Sequence, residues 1–217
     1  MALFLATAPA IEPLTLAETK VHLQVSSAVT DEDDYIEDTL IPTARERAEG
    51  ATNRQLITAT WDLKLDCFPC GDWIWMPKPP LLTVTSITYI ATDGTSTVWA
   101  STNYTVDAPT GPKAKRGRIA LAYGVSWPAT RAQINAVVIR FTAGYGVAAT
   151  SVPARLRRAM LLDIGSMYAP GREDIIVGTI SSELPASATA GGVYWDHRSH
   201  AVNLCDRCVR DSCVSVW

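Results

Sequence analysis

The end of the chain carries the densest group of side chains that can bind a metal. The stretch HRSHAVNLCDRCVRDSC, residues 197–213, has the spacing H-x2-H-x4-C-x2-C-x4-C. Neutral imidazole and thiolate are the ligands that Zn²⁺ prefers, and four of them close a tetrahedral site. One interpretation is therefore a zinc site of His200, Cys205, Cys208 and Cys213. The other is an arm that docks without metal through Val209, Val214, Val216 and Trp217.

A second cysteine pair, Cys67-Phe-Pro-Cys70, has the C-x-x-C spacing that zinc sites and redox pairs share. The segment before it alternates apolar and polar residues, which places Cys67 on the apolar face of a strand. We therefore expect Cys67 to pack in the core rather than to perform chemistry.

The segment VIRFTAGYGVAATSVP, residues 138–153, passes from a β-like run through Gly144-Tyr145-Gly146 to a helix start. A phosphate-binding loop has the same order of elements, but this segment lacks both G-x-G-x-x-G and G-K-[ST]. No lysine follows nearby. We predict a structural corner that turns the chain from a sheet into a helix.

No catalytic set stands out elsewhere. The chain has no G-x-S-x-G, and His22 lies beside apolar residues, which favours a position at a helix interface. The acidic run Asp31 to Asp34 matches the negative charge preferred at the start of a helix. We expect no enzymatic activity and, apart from the possible zinc, no cofactor.

Basic residues concentrate in one loop rich in glycine and proline. Such a loop is usually a solvated tip, but in a ring it could face DNA or an acidic neighbour. Its residues are Lys113, Lys115, Arg116 and Arg118.

The first third of the chain has helical periodicity. Thr15 and Glu18 are spaced as a capping box for a short helix, and Thr30 and Asp33 repeat that spacing. A longer helix is predicted over residues 31–50, kinked or split at Pro42 and ending at Gly50. Its apolar stripe is Ile36, Leu40, Ala44, Ala48 and Ala51.

From residue 55 the apolar period changes to two, and six or seven short strands follow. This spacing predicts an antiparallel sandwich or barrel. Trp73 and Trp75 share one face of a short strand. Helical periodicity returns after Gly146, with a cap at Ser151 and Pro153 in the first turn. The apolar stripe of this helix is Leu156, Met160, Ile164 and Met167 or Tyr168.

These elements predict an α+β fold. Two N-terminal helices and one C-terminal helix form a bundle, and an antiparallel sandwich-like or barrel-like β domain is inserted between them. The expected segments are an apolar N-terminal arm with the first helices (1–54), the β domain (55–147), the last bundle helix (148–172) and an extended C-terminal arm with a Cys-rich end (173–217).

Composition indicates a protein with extensive partner surfaces. Of the 217 residues, 47% are hydrophobic, which is enough for a sizeable core. The formal net charge of −3 excludes the strong basic excess of a general nucleic-acid binder. We expect a soluble chain made in the cytoplasm, or carried in a particle assembled there. Apolar residues at both ends of the chain favour extensive contacts.

Taken in order, the segments of the chain resemble those of the tailed-phage head–tail connector (adaptor) proteins, the type with a β domain inserted in a helical bundle. The resemblance covers about residues 11–198; the Cys-rich end has no counterpart in it. The segments that carry it are LTLAETKVHLQV, DEDDYIEDTLIPTARERAE, TNRQLITATWDLKLDCFP, MPKPPLLTVTSITYI, NYTVD, GRIALAYGVSWP, VVIRFTAGYG, VPARLRRAMLLDIGSMY and VGTISSELP.

The resemblance implies a ring of about twelve subunits beneath the portal protein of a virion. Such a ring extends the channel for double-stranded DNA and offers a platform to a stopper or tail-terminator protein. It implies a location in the neck after assembly in the bacterial host cytoplasm, and no membrane. The residues expected at subunit or portal interfaces are Arg155, Arg158, Trp73, Trp75, Trp195 and Trp217.

Two alternatives stay open. A stopper or tail-completion protein is the nearest within the same structural class. The other is a small zinc-binding regulatory or interaction protein that acts through the His/Cys tail.

Metal analysis of the purified chain separates a zinc site from a docking arm. A zinc site predicts stoichiometric zinc that is lost with Cys205→Ser, because a structural site needs its full set of ligands. A chain that purifies without zinc, and whose Cys205→Ser variant behaves as the wild type does, would leave the docking arm.

Overall fold

The computed structural model describes residues 1–168. Within this range the chain forms two compact units. The β unit contains Met1–Ala8 and Ala59–Gly144, and the helical unit contains Pro9–Thr58 and residues 145–168. The fold is α+β, as predicted. The predicted C-terminal arm, residues 173–217, lies outside the described residues.

The helical unit is built from two stretches of chain that the β segment separates. Its α-helices are α1 (Leu16–Leu23), α2 (Asp33–Tyr35), α3 (Ile41–Thr52) and α4 (Ala154–Tyr168). A π-helical segment, Ile36–Leu40, joins α2 to α3, and a 3₁₀ turn, Ala149–Ser151, precedes α4. No helix within residues 1–168 is long and apolar enough to cross a bilayer.

Half of the first predicted capping box forms. The Thr15 hydroxyl accepts a hydrogen bond from the Glu18 amide at 3.2 Å, as predicted. The Glu18 carboxylate, however, binds Arg157 of α4 instead of closing the box. The second predicted pair is wrong, because the Thr30 carbonyl, not its side chain, accepts from the Asp33 amide. The Asp33 carboxylate pairs with the buried Lys20 ammonium group.

The helix predicted over residues 31–50 spans Asp33 to Thr52 and is divided into α2, the π-helical segment and α3, and the last boundary falls next to Pro42, where a kink or a split was predicted. Pro42 lies in the first turn of α3, directly after the π-helical segment, so its missing N–H falls where the winding changes. The predicted end at Gly50 is wrong. The helix ends where Asn53 takes a left-handed conformation with φ 51°, which asparagine tolerates better than most residues.

The core of the helical unit lies where α4 meets the earlier helices. Of the predicted stripe of α4, Leu156, Met160 and Ile164 are buried. Ile36, Leu40, Ala44 and Ala48 are buried in the same core, and Ala51 is half-buried. The other buried residues of this core are Leu14, Ile41, Leu56, Ile57, Val152 and Leu161.

The β unit is an antiparallel sandwich of two sheets, so of the two predicted forms the sandwich is confirmed. The larger sheet has the order β1-β2-β8-β4-β5 and the smaller one β3-β7-β6. The strands are β1 (Ala2–Thr7), β2 (Ala59–Leu65), β3 (Trp73–Trp75), β4 (Leu81–Ile90), β5 (Ser96–Trp99), β6 (Tyr104–Asp107), β7 (Arg118–Leu121) and β8 (Val137–Ala143).

Alternation along β2 and β8 decides which residues enter the sandwich. Leu63 pairs with Ile139 on the inner face, and both are fully buried. Asp62 pairs with Arg140 on the outer face, where two hydrogen bonds of 2.8 Å join the carboxylate to the guanidinium. The hydrogen bond from Arg140 lowers the pKa of Asp62.

The N-terminal segment differs from the predicted apolar arm, because Ala2–Thr7 forms strand β1 at one edge of the larger sheet. It pairs antiparallel with β2, from Ala2 opposite Lys64 to Thr7 opposite Thr60. The segment ALFLAT has no apolar–polar alternation, so the pattern did not predict a strand. Pairing with β2 supplies the hydrogen bonds that make it one.

Cys67 does not lie on the inner face, so that prediction is wrong. Strand β2 ends at Leu65, and the bend that follows exposes the Cys67 thiol. Phe68 enters the core instead and stacks on Trp127, with ring centroids 4.9 Å apart. Alternation fails here because it holds only while the backbone stays extended.

The glycine segment is a corner whose backbone groups are already bonded. The chain leaves β8 at Gly144, whose amide donates to the Pro80 carbonyl at 2.9 Å. The Tyr145 amide donates to the Leu56 carbonyl at 3.0 Å, and the Gly146 carbonyl accepts from the Thr58 amide at 3.0 Å. Gly146 has φ 155°, and a Cβ added there would lie 2.5 Å from the Ser151 hydroxyl oxygen.

One carboxyl group of the helical core carries an electrostatic cost. Asp163 of α4 is buried, and an Arg47 guanidinium nitrogen lies 2.8 Å from its carboxylate. Burial raises the pKa of Asp163, and the positive charge of Arg47 opposes that shift only in part. The folded state therefore favours the neutral form of this carboxyl more than the unfolded state does.

Replacing Gly146 with alanine should destabilise the helical unit by about 1–3 kcal/mol, because the new Cβ meets Ser151 and the backbone conformation suits only glycine. Gly50→Ala is the matched control. It lies in α3 with open space around it, so it should stabilise by about 0.5–1 kcal/mol. Denaturant unfolding followed by circular dichroism measures both changes. A Gly146→Ala variant as stable as the wild type would contradict the steric argument.

Asp163→Asn should gain stability relative to the wild type as the pH rises from about 3 to 7. Because the pKa of Asp163 is higher in the folded state than in the unfolded state, its protonated form stabilises the fold at pH values below the ordinary pKa of a carboxyl group. The wild type loses this stabilisation as the pH rises through the folded-state pKa. The asparagine side chain stays neutral and avoids that loss. Free energies of unfolding at several pH values give the difference.

Asp62→Asn is the matched control of opposite sign. Its folded-state pKa is lowered, so the wild-type carboxylate adds stability above its ordinary pKa, and the asparagine variant falls behind as the pH rises. A constant difference between Asp163→Asn and the wild type across this range would contradict the proposed cost of burial.

Candidate interaction surfaces

The glycine corner is not a phosphate site. A phosphate loop binds its ligand with free backbone N–H groups. Here the Gly144 and Tyr145 amides already donate to carbonyl oxygens. The backbone geometry therefore supports the predicted corner.

The residues singled out for catalysis and metal binding form no reactive group within residues 1–168. His22 lies on α1 against Gly165 of α4, at the predicted helix interface, with its Nε2 3.5 Å from where a Cβ of Gly165 would be. No three histidine, cysteine or acidic side chains of the described part cluster to hold a metal. His200, Cys205, Cys208 and Cys213 lie outside it, so the zinc site stays a prediction.

Trp73 and Trp75 lie on the outer face of the smaller sheet. Trp75 pairs with Arg118, and Trp73 pairs with Ala120. Strand β6 extends the same face, because Asp107 lies opposite Arg118. The tryptophans are 49% and 46% exposed, so the sheet presents two large apolar side chains to its surroundings. We call this surface, formed by Trp73, Trp75, Thr105, Asp107, Arg118 and Ala120, the tryptophan face.

The arginine of the tryptophan face is held in place. The Arg118 Nε donates to an Asp107 carboxylate oxygen at 3.0 Å, and its guanidinium lies 5.7 Å from the Trp75 ring centroid. Ordering the side chain in the free protein lowers the entropy that binding must remove. Tryptophan and arginine are also the residues most enriched at the energetic centres of protein interfaces.

The structure separates the predicted basic cluster into two parts. Arg118 belongs to the tryptophan face, whereas Lys113 and Lys115 project from the β6–β7 loop on either side of the buried Ala114. Arg116 is half-buried. Gly117 closes the loop by accepting a hydrogen bond from the Met76 amide at 2.9 Å. The two lysines are the freely accessible cations of this loop.

The arginines of α4 also divide between two sides of the helix. Arg157 turns inward and binds Glu18 of α1. Arg155 and Arg158 are exposed, and the exposed Leu162 continues their row one turn further along the helix. Neither arginine forms an ion pair within residues 1–168. Trp195 and Trp217, the other residues predicted at interfaces, lie outside the described range.

The acidic run does more than the predicted capping. Asp33 binds Lys20, and Glu32 accepts a hydrogen bond from the Tyr168 hydroxyl of α4. Asp34, Glu37 and Asp38 are exposed and form no ion pair in the described part of the chain. Sequence reasoning missed this surface, because it assigned the acidic residues to the helix dipole and did not separate paired from unpaired carboxylates.

A third surface missed from the sequence is the outer edge of β1. Phe4 and Leu5 are each 48% exposed, and the Lys64 ammonium lies 4.3 Å from the Phe4 ring centroid. An apolar edge strand without charges is unusual on a chain that stays alone, because it offers unpaired backbone groups to other strands. Recognising it required knowing that β1 is a strand.

No protein-family model matches the chain, and no curated protein matches it. Solved structures of similar architecture do exist. One, the "Neck of empty GTA particle computed with C6 symmetry", has a TM-score of 0.70 and 26% identity, and the match covers 89% of this chain and 93% of that one.

Two further structures agree with it. The "Virion of native gene transfer agent (GTA) particle" matches with a TM-score of 0.67 and 26% identity, covering 82% of this chain and 89% of that chain. The "Neck of native GTA particle computed with C12 symmetry" matches with a TM-score of 0.63 and 25% identity, covering 89% and 94%. This chain is similar in fold and in length to chains of assembled gene transfer agent particles.

Proposed function

We propose that the chain is a structural subunit of the neck of a tailed phage or phage-like particle. The main support for this proposal is the match to a neck structure at a TM-score of 0.70 over 89% of this chain and 93% of that chain. A match over nearly the full length of both chains supports a shared role better than a match confined to one domain would. The role is structural and not enzymatic, and its place is the virion neck.

Within the neck we propose an adaptor. Copies of the chain form a ring beneath the portal protein, extend the channel for double-stranded DNA and present a platform to a stopper or tail-terminator protein. The six-fold and twelve-fold symmetries of the similar neck structures support a ring, and we propose twelve subunits. The order of sequence motifs in this chain resembles that in the phage adaptor proteins, and this resemblance supports a position of the ring beneath the portal protein.

The exposed surfaces supply what such a subunit needs. The tryptophan face offers apolar area together with an oriented cation, which is the composition of a protein interface. The α4 row of Arg155, Arg158 and Leu162 offers a second, charged interface on the helical unit. We assign the tryptophan face and this row to contacts with other subunits or with the portal.

The charge of the chain is compatible with a channel through which DNA moves. A net charge of −3 limits non-specific adhesion to phosphates. Lys113 and Lys115 provide a few accessible cations, and the contacts of two lysines with DNA weaken steeply as salt rises. We propose that the β6–β7 loop makes such weak contacts with DNA or with an acidic neighbour.

Deleting the gene in the host that produces the particle tests the proposal. We expect DNA-filled or leaking heads beside separate tails in electron micrographs of the lysate, because head and tail then lack the part that joins them. Normal, infectious particles from the deletion strain would remove the neck assignment.

Complementation of the same strain tests the tryptophan face. A Trp73→Ala, Trp75→Ala chain should fold, since both side chains are half exposed, but should restore few joined particles. Val98→Ala, which removes an exposed apolar side chain from β5, is the matched control and should restore them fully. Full complementation by the double tryptophan variant would remove this face from the assembly while leaving the deletion result intact.

A further inference from the structure

We propose that successive copies of this chain pair head to tail through two charged faces of the helical unit. The acidic face consists of Asp34, Glu37 and Asp38. The basic face consists of Arg155 and Arg158. The inference rests on the proposed ring and names the surfaces that build it; the occupant of each face is a second copy of the chain.

The acidic face lies on the outer side of α2 and the π-helical segment. Ile36, Leu40 and Ile41 are buried in the core, whereas the three carboxylates of the acidic face are exposed. Other acidic side chains of this region have partners within the chain: Glu32 binds Tyr168 and Asp33 binds Lys20. Asp31, before α2, is also exposed without an ion pair in the described part of the chain, and the acidic face adds three negative charges on the helix itself.

The basic face lies on the outer side of α4. Leu156 and Met160 face the core, and Arg157 is neutralised by Glu18, so the positive charge outside comes from Arg155 and Arg158. Both arginines are exposed without an ion pair in the described part of the chain. Leu162, 46% exposed, adds apolar area beside them.

The two faces form no ion pair with each other within the described part of one copy, and the contacts of α4 place them apart. Tyr168, at the last turn of α4, bonds to Glu32, which precedes the acidic face directly in the chain. Arg155 and Arg158 lie 13 and 10 residues before Tyr168. At 1.5 Å per residue the arginines are therefore roughly 15–20 Å away from that end along the helix axis. The arginines therefore lie toward the opposite end of α4 from its contact with Glu32.

A rotationally symmetric ring requires this kind of arrangement. Each subunit in a ring of more than two copies contacts its neighbours through two different surfaces, which must complement each other. The spacing also matches. Arg155 and Arg158 are three residues apart and Asp34 and Asp38 are four apart, and side chains at either spacing on a helix lie about 5–6 Å apart. Two arginines can therefore meet two carboxylates at once.

The charges set the register of the contact more than its strength. Exposed ion pairs add little binding free energy, whereas like charges placed opposite each other strongly oppose a contact. Charge complementarity of this kind directs each subunit to the correct neighbour and the correct orientation. The affinity must come mainly from apolar area, of which Leu162 is the part beside the arginines.

Charge reversal with reciprocal rescue tests the inference in the deletion strain. One variant carries Arg155→Glu and Arg158→Glu, and another carries Asp34→Lys and Asp38→Lys. Each alone should lower the yield of joined particles by roughly tenfold or more, because like charges then meet at every interface of the ring. Produced together, the two variants should restore the yield, because a ring of alternating copies, with an even number of subunits, places opposite charges at every interface.

The chain with all four substitutions is the matched control, since it has the wild-type net charge and opposite charges at each interface. It should restore joined particles by itself. Circular dichroism and thermal unfolding of the purified variants establish that each is folded; all substituted side chains are exposed, so the midpoints should stay close to that of the wild type.

The other outcomes are distinct. If the arginine variant fails but neither the reciprocal variant nor the four-fold chain rescues it, the arginines bind the portal or DNA instead, and the inference is wrong. If both reversed variants complement as the wild type does, the faces have no role, and the inference is again wrong. In both cases wild-type complementation still supports the neck function, whereas a deletion without phenotype overturns that function itself.

Discussion

The structure of the helical unit depends on burying the apolar stripe of α4. A 15-residue helix is marginal in water by itself, and most of its stability comes from packing. Leu156, Met160 and Ile164 pack against Ile36, Leu40 and Ala44, which precede them by more than a hundred residues. The chain must therefore return to the helical core after the β segment. Gly146 lies in the corner where it does so, and glycine is needed there because the Cβ of any larger residue would collide with Ser151.

That packing also decides which charges are available to partners. Around the buried stripe, Arg157 binds Glu18, Arg47 binds Asp163 and Tyr168 binds Glu32, so that three polar links join α4 to the earlier helices. Each gives a hydrogen-bond or ion-pair partner to a polar group that burial makes costly to leave alone. The exposed charges of the acidic face and the basic face, on the outer sides of these helices, form no ion pair in the described residues. The contacts that stabilise the bundle therefore also determine which charged side chains are paired within the chain and which stay exposed at its surface.

The β unit follows a simpler rule, because alternation sends successive residues to opposite sides of a sheet. The larger sheet turns polar pairs such as Asp62 and Arg140 outward. The smaller sheet instead turns Trp73 and Trp75 outward and buries Ile74 between them. Exposing two tryptophans has no benefit for a lone domain, since burial of aromatic area stabilises a fold. Two exposed tryptophans beside an oriented arginine form the composition that is typical of a protein interface.

The sequence by itself determined the α+β class, the helical stripes, the strand alternation and the absence of a phosphate-binding pattern in the glycine corner, because these depend on local periodicity and turn chemistry. The tertiary structure alone decided that residues 2–7 form a strand, that Phe68 and not Cys67 enters the core, and that Arg118 joins Trp75. It also decided which charges remain unpaired. Those outcomes depend on contacts between residues far apart in the chain, which no local pattern records.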